Sequence, residues 1–158
     1  MIESKHPLLF RFYHELTCSL NYNVNTFMEV LSLDFMTVVC DIKQSSSLEN
    51  REEVQYKLIE MLKDTNSRFS TSIAAPFIIT IGDEWQGLLN YPCDHLTILN
   101  HFHKTMDTID FYCGIGIGPI SVHNFELTVN QLDGPSFYKA RRAIRLAKRF
   151  KYSIVMIQ

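Results

Sequence analysis

Two apolar runs in this chain end in carboxylates, and those carboxylates are the side chains best placed to do chemistry. Residues 36–40 (MTVVC) lead into Asp41 and then into a polar loop at 43–47. Residues 77–81 (FIITI) lead through Gly82 into Asp83 and Glu84, after which 84–89 alternates into a returning strand. Carboxylate oxygens are hard donors, and Mg²⁺ or Mn²⁺ is commonly held by one or two of them together with waters and substrate phosphates. Two strand-terminal aspartates can therefore share a metal site. The competing reading is that Gly82-Asp83 is simply a two-residue hairpin turn.

Cationic groups come from a different region. Between Gly134 and Lys151 lie Lys139, Arg141, Arg142, Arg145, Lys148, Arg149 and Lys151 with no acid among them, in a chain whose net charge is −2. That asymmetry suits an anionic ligand near one helix; the alternative is a solvated face whose last cations favour the helix dipole. The overall acidic balance of the chain argues against nucleic acid as the anion. The loop at Lys43, Gln44, Ser45 and Ser46 precedes a helix expected from Asn50, so its amides and the helix N-terminus form a candidate phosphate cradle. An ordinary polar connection is the alternative.

These residues must be positioned by strands and helices. Asn50 and Glu53 have the spacing of a capping box, and Val54, Leu58, Met61 and Leu62 share one helical face. A second helix, about 94–108, is expected to turn Leu96, Leu99, Phe102 and Met106 inward, and a third, 136–150, to bury Phe137, Ala140, Ile144 and Ala147. Residues 111–118 (FYCGIGIG) read as a strand bare on one face, against which something bulky or a closely packed helix lies. A short strand is expected at 120–122 and a last one at 152–156. The order is βαββαβ with an αβ tail: an α/β, ferredoxin-like palm with helices on one face of a mixed sheet. Residues 1–34 are expected to form a helical extension, including a helix at 7–19, and 35–158 the main domain.

Composition narrows the classes further. At 158 residues and 46% hydrophobic content, one packed core is expected. No run approaches the roughly 18 apolar residues of a membrane helix, and no leader pattern opens the chain, so a soluble cytoplasmic protein with no membrane partner is expected. Cys18, Cys40, Cys93 and Cys113 lack paired metal spacing and are expected to be buried thiols. His101 and His103 face apart on a helix, and all six histidines read as structural or surface groups.

Asp41-Ile42 before the serine loop, 50–53 (NREE), 80–89 (TIGDEWQGLL), 113–120 (CGIGIGPI) and 133–141 (DGPSFYKAR) together resemble the SatD family of bacterial proteins, over roughly Phe35 to the C-terminus. A more distant resemblance is to class III nucleotide cyclases. It implies that Asp41 and Asp83 hold Mg²⁺ or Mn²⁺ with the Ile42 carbonyl as a further ligand. Counted from Gly134, the same resemblance assigns Arg142 to transition-state charge and Tyr138 to the place of a ribose-orienting asparagine. Ile79 stands where those cyclases carry a purine-selecting lysine. Glu84, Asp133, Tyr138 and Lys139 complete the candidate substrate contacts, for a nucleoside triphosphate or other phosphate ligand, and a homodimer is implied. Cyclic-dinucleotide synthases of the GGDEF type resemble the chain in topology. The functions left open are a metal-dependent cyclase or related phosphoryl transferase, a non-catalytic nucleotide sensor, and an interaction scaffold.

Overall fold

The computed structural model describes residues 33–158; the expected helix at 7–19 and most of the 1–34 extension lie outside them. Within that range five strands form one sheet in the order β2-β3-β1-β4-β5. The elements along the chain are β1 (Phe35–Ile42), α1 (Arg51–Arg68), β2 (Ile73–Ile81), β3 (Glu84–Asn90), α2 (His95–Met106), β4 (Phe111–Gly118), α3 (Pro135–Phe150) and β5 (Ile154–Ile157). β1 is antiparallel to both β3 and β4, β2 and β3 form a hairpin, and β5 joins β4 in parallel. The expected α/β ferredoxin-like palm with an αβ tail is therefore the architecture. No described helix is long and apolar enough to cross a membrane.

Alternation along β1 determines what lies on each face of the sheet. Met36, Val38, Cys40 and Ile42 pack with Leu58, Met61 and Leu62 of α1 and Ile98, Leu99, Phe102 and Met106 of α2. Trp85 sits in this layer, edge-on to Phe102 and Phe111. The expectation of helices on one face is met by α1 and α2. It does not extend to α3, which covers the other face, where Val39 packs with Ala140 and Ile144.

The bare face of β4 explains why α3 can come so close. A Cβ at Gly114 would lie 2.3 Å from the Ile144 amide nitrogen, and one at Gly116 would lie 2.1 Å from the Ser136 carbonyl oxygen. These glycines admit the helix backbone itself, so close helix packing is the outcome of the two readings.

Several local expectations change. β2 begins at Ile73, four residues early, and accommodates Pro76 because it is the sheet's edge strand. Asn50 occupies the α1 N-cap, but its side chain makes no capping hydrogen bond; a capping box forms instead at Thr128 and Gln131. Leu96 is exposed, and Ile98 takes the inward place. Residues 120–122 form no strand; Ile120 is buried, and the Ser121 amide donates to the Asp133 carbonyl at 2.7 Å. β5 starts at Ile154. Cys40 and Cys113 are buried free thiols in register on adjacent strands, and Cys93 is a half-buried free thiol.

Candidate functional site: an acidic strand edge under a basic helix

β1 ends with Asp41 directly opposite Glu84 on β3 and Tyr112 on β4. Gly82 adopts φ +58, a left-handed conformation suited to glycine, and turns the β2–β3 hairpin. The turn brings the Asp83 carbonyl to the Ile42 amide, which donates to it at 3.4 Å. Asp41, Ile42, Asp83 and Glu84 thus meet at one end of the sheet.

The helix above meets this edge for a metrical reason. Four residues of α-helix advance about 6 Å, and two residues of strand advance about 6.6 Å. The step from Ile144 to Lys148 on α3 therefore nearly matches the step from Val39 to Asp41 on β1. The Thr37 and Ser136 hydroxyls share a buried hydrogen bond of 2.9 Å, and Lys148 Nζ lies 2.7 Å from Asp41 Oδ2. Arg141 pairs with Glu84, Nη1 to Oε1, at 2.5 Å, and the Thr80 hydroxyl donates to the same carboxylate oxygen at 2.7 Å. Each of these two carboxylates already faces a protein cation.

Burial raises the Asp41 carboxyl above its ordinary pKa. The hydrogen bond and charge of Lys148 oppose that rise, while the charges of Asp83 and Glu84 add to it. This edge accumulates negative charge and favours a cation. Among the described residues, no group of three His, Cys, Asp or Glu side chains is arranged as a metal cage.

Glu84 also lines a cavity of about 500 Å³ between the β2–β3 hairpin and α3, together with Thr80, Ile81, Gln86, Asn130, Leu132, Asp133, Phe137, Tyr138 and Arg141. That volume lies within the usual size range of small-molecule sites. The Tyr138 hydroxyl donates to Asp133 Oδ2 at 2.7 Å, which raises the phenol pKa. Gln86 is 3% exposed; its amide donates over a long 3.5 Å to the Val129 carbonyl, and its Oε1 has no partner.

The other candidates are elsewhere. Lys43, Gln44 and Ser47 line a separate cavity of about 430 Å³ with Asp110 and Tyr112. Lys43 Nζ is 3.2 Å from the Ser153 hydroxyl and 3.8 Å from Asp110 Oδ2. Ser45 and Ser46 belong to a short 3-10 turn and line neither cavity. Lys139 donates to the Ile117 carbonyl at 2.9 Å and ties α3 to β4. Arg142 is exposed and pairs with no carboxylate among the described residues. Ile79 packs against the α1–α2 core, so its position faces away from the α3 side.

Sequence reasoning missed Thr80 and Gln86, and it placed Arg141 and Lys148 in a basic run without their partners Glu84 and Asp41. The four-residue step from Ile144 to Lys148, set against the two-residue step from Val39 to Asp41, was the available signal for Lys148.

Comparison with solved structures supports the fold. The GGDEF domain of PA1120 (YfiN or TpbB) from Pseudomonas aeruginosa is similar with a TM-score of 0.58 at 15% identity, over 84% of this chain and 88% of that one. A dimeric guanylyl cyclase domain of the RhoGC fusion protein from the aquatic fungus Blastocladiella emersonii is similar with a TM-score of 0.50 at 17% identity, over 72% and 74% of the two chains. No curated protein matches in sequence. The model of the SatD family matches residues 35–155, and the chain belongs to that family.

Proposed function

We propose that this chain is a cyclase-homology, nucleotide-binding module that takes a nucleoside triphosphate together with Mg²⁺ or Mn²⁺. The observation that carries the reading is the double position of Glu84: it stands opposite Asp41 at the acidic edge and also lines the adjoining cavity. A phosphate–metal group at the edge and a nucleoside in the cavity would then be contiguous.

The donor chemistry fits a hard divalent cation. Asp41 and Asp83 supply carboxylates, the Ile42 carbonyl is available as a neutral oxygen, and Mg²⁺ commonly takes its remaining ligands from water and phosphate. When bound, the metal would neutralise phosphate charge and lower the pKa of an attacking hydroxyl. Arg141 would spread its remaining donors toward phosphate oxygens while Glu84 and Thr80 fix its orientation. In this reading Arg141 takes the role that the resemblance gives Arg142. Gln86, Asn130, Asp133 and Tyr138 would contact the nucleoside between the apolar walls of Leu132 and Phe137. A second copy of the chain completing the site is part of the proposal.

A non-catalytic sensor is the second reading. It is favoured by the two ion pairs, Lys148 with Asp41 and Arg141 with Glu84, which compensate the edge without metal. The separating experiment is thermal-shift titration of wild type and Asp83→Ala with ATP, GTP, CTP and UTP and either cation, then chromatography of each stabilising mixture. Stabilisation lost in Asp83→Ala supports the site. A product peak makes it an enzyme, and binding without product makes it a sensor. No shift with any nucleotide defeats both readings and leaves an interaction scaffold.

A further inference from the structure

We infer that Lys148 is a resident counter-cation that a divalent metal must displace from Asp41. This rests on the metal site proposed above and adds a residue that the metal reading does not require. Lys148 Nζ lies 2.7 Å from Asp41 Oδ2, so its ammonium takes up an oxygen that the metal would use. It is there because the helical rise of α3 brings residue 148 over the end of β1, one step beyond the Val39–Ile144 contact.

Three features make this ammonium displaceable rather than a fixed strut. The side chain is 41% exposed and that of Asp41 22% exposed, and an ion pair this open to water is weak. Lysine is a point charge on a flexible stem, without the two-pronged grip of a guanidinium. Asp83 and Glu84 also press on the Asp41 carboxyl, so a divalent charge at the edge satisfies more of the local field than a single ammonium. Glu84 differs, because Arg141 and Thr80 both hold it. Of the two ion pairs, the one at Asp41 is built to open. Once displaced, the Lys148 ammonium remains beside the edge, available to a phosphate oxygen.

The consequence is competition in the absence of nucleotide. Removing the ammonium should tighten metal binding roughly three- to tenfold, tenfold being about 1.4 kcal/mol. The test is Mn²⁺ titration of the full chain by electron paramagnetic resonance, comparing wild type, Lys148→Gln and Arg149→Gln, an exposed neighbour that controls for net charge. The expected result is tighter Mn²⁺ binding in Lys148→Gln and unchanged binding in Arg149→Gln. Equal or weaker binding in Lys148→Gln, or equal tightening in both variants, overturns the inference while leaving the metal site intact. Absence of Mn²⁺ binding to wild type and Lys148→Gln alike defeats the metal site itself, and the displacement with it. A second measurement needs no variant: acylation of Lys148 in wild type, followed by mass spectrometry, should accelerate when Mg²⁺ is added. An unchanged rate contradicts displacement.

Discussion

Replacing Gly116 by alanine tests whether the approach of α3 to β4 is what assembles the acidic edge. The new Cβ would stand 2.1 Å from the Ser136 carbonyl oxygen and 2.3 Å from the Ala140 amide nitrogen, both backbone atoms, whereas ordinary contact begins at 3.4 Å. No side-chain rotation relieves this, so the helix must retreat by about 1 Å or more locally. Overpacking of this kind costs about 1–3 kcal/mol. The retreat also stretches the buried Thr37–Ser136 hydrogen bond, worth about 1 kcal/mol. A total near 3 kcal/mol is a large part of the roughly 5–15 kcal/mol that holds a domain together. Urea denaturation of Gly116→Ala should show that loss. Gly82→Ala is the comparison: its Cβ would meet nothing within 4 Å, and left-handed strain alone costs about 1–2 kcal/mol. Stability of Gly116→Ala within about 0.5 kcal/mol of wild type would refute the packing argument, and with it the account of how Lys148 and Arg141 reach the edge.

Three further outcomes are expected. Arg141→Leu should weaken triphosphate binding roughly tenfold or more, since a hydrogen bond to a charged group is worth about 1.5–3 kcal/mol; isothermal titration measures it, and unchanged affinity would remove Arg141 from the site. Asp41, whose carboxyl is raised mainly by burial, contributes stability fully below its unfolded pKa and loses it as pH rises through the folded pKa. Asp41→Asn should therefore gain on wild type as denaturation is repeated at rising pH through the carboxylate range, and a difference independent of pH would contradict the assignment. His101 is lowered by burial, against the pull of Asp64 and with the push of Arg68. Its contribution is complete above the unfolded pKa and lost as pH falls through the folded one, so wild type should lose stability on mild acidification and His101→Gln should lose less.

Much of the fold was legible because its signals are local. Asp41 follows an apolar strand, Gly82 supplies the turn that needs left-handed φ, and the alternating glycines of β4 announce a face bare of side chains. The apolar stripe Phe137, Ala140, Ile144 and Ala147 is buried as its spacing predicts. What the local pattern could not give was the face on which α3 lands, because a βαββαβ order does not specify the side taken by an added helix. That choice puts Lys148 on Asp41 and Arg141 on Glu84, whereas counting from Gly134 pointed to Arg142, which faces solvent. The capping pattern at Asn50 failed for a related reason: its spacing permits the bond without requiring it. The loop pattern around Lys43 is local, whereas the groups its ammonium reaches, Ser153 next to β5 and Asp110, are partners far away in sequence.

In the proposed function, a metal–nucleotide complex binds at the edge formed by Asp41 and Asp83. Phosphorus NMR of a triphosphate titrated with this protein, with and without Mn²⁺, tests it most directly. Bound-state signals broadened by Mn²⁺ in wild type and restored in Asp83→Asn, whose fold is verified by circular dichroism, are the predicted result. Equal broadening in both proteins beyond that of free Mn²⁺–triphosphate, or no protein-dependent change in either, would contradict it.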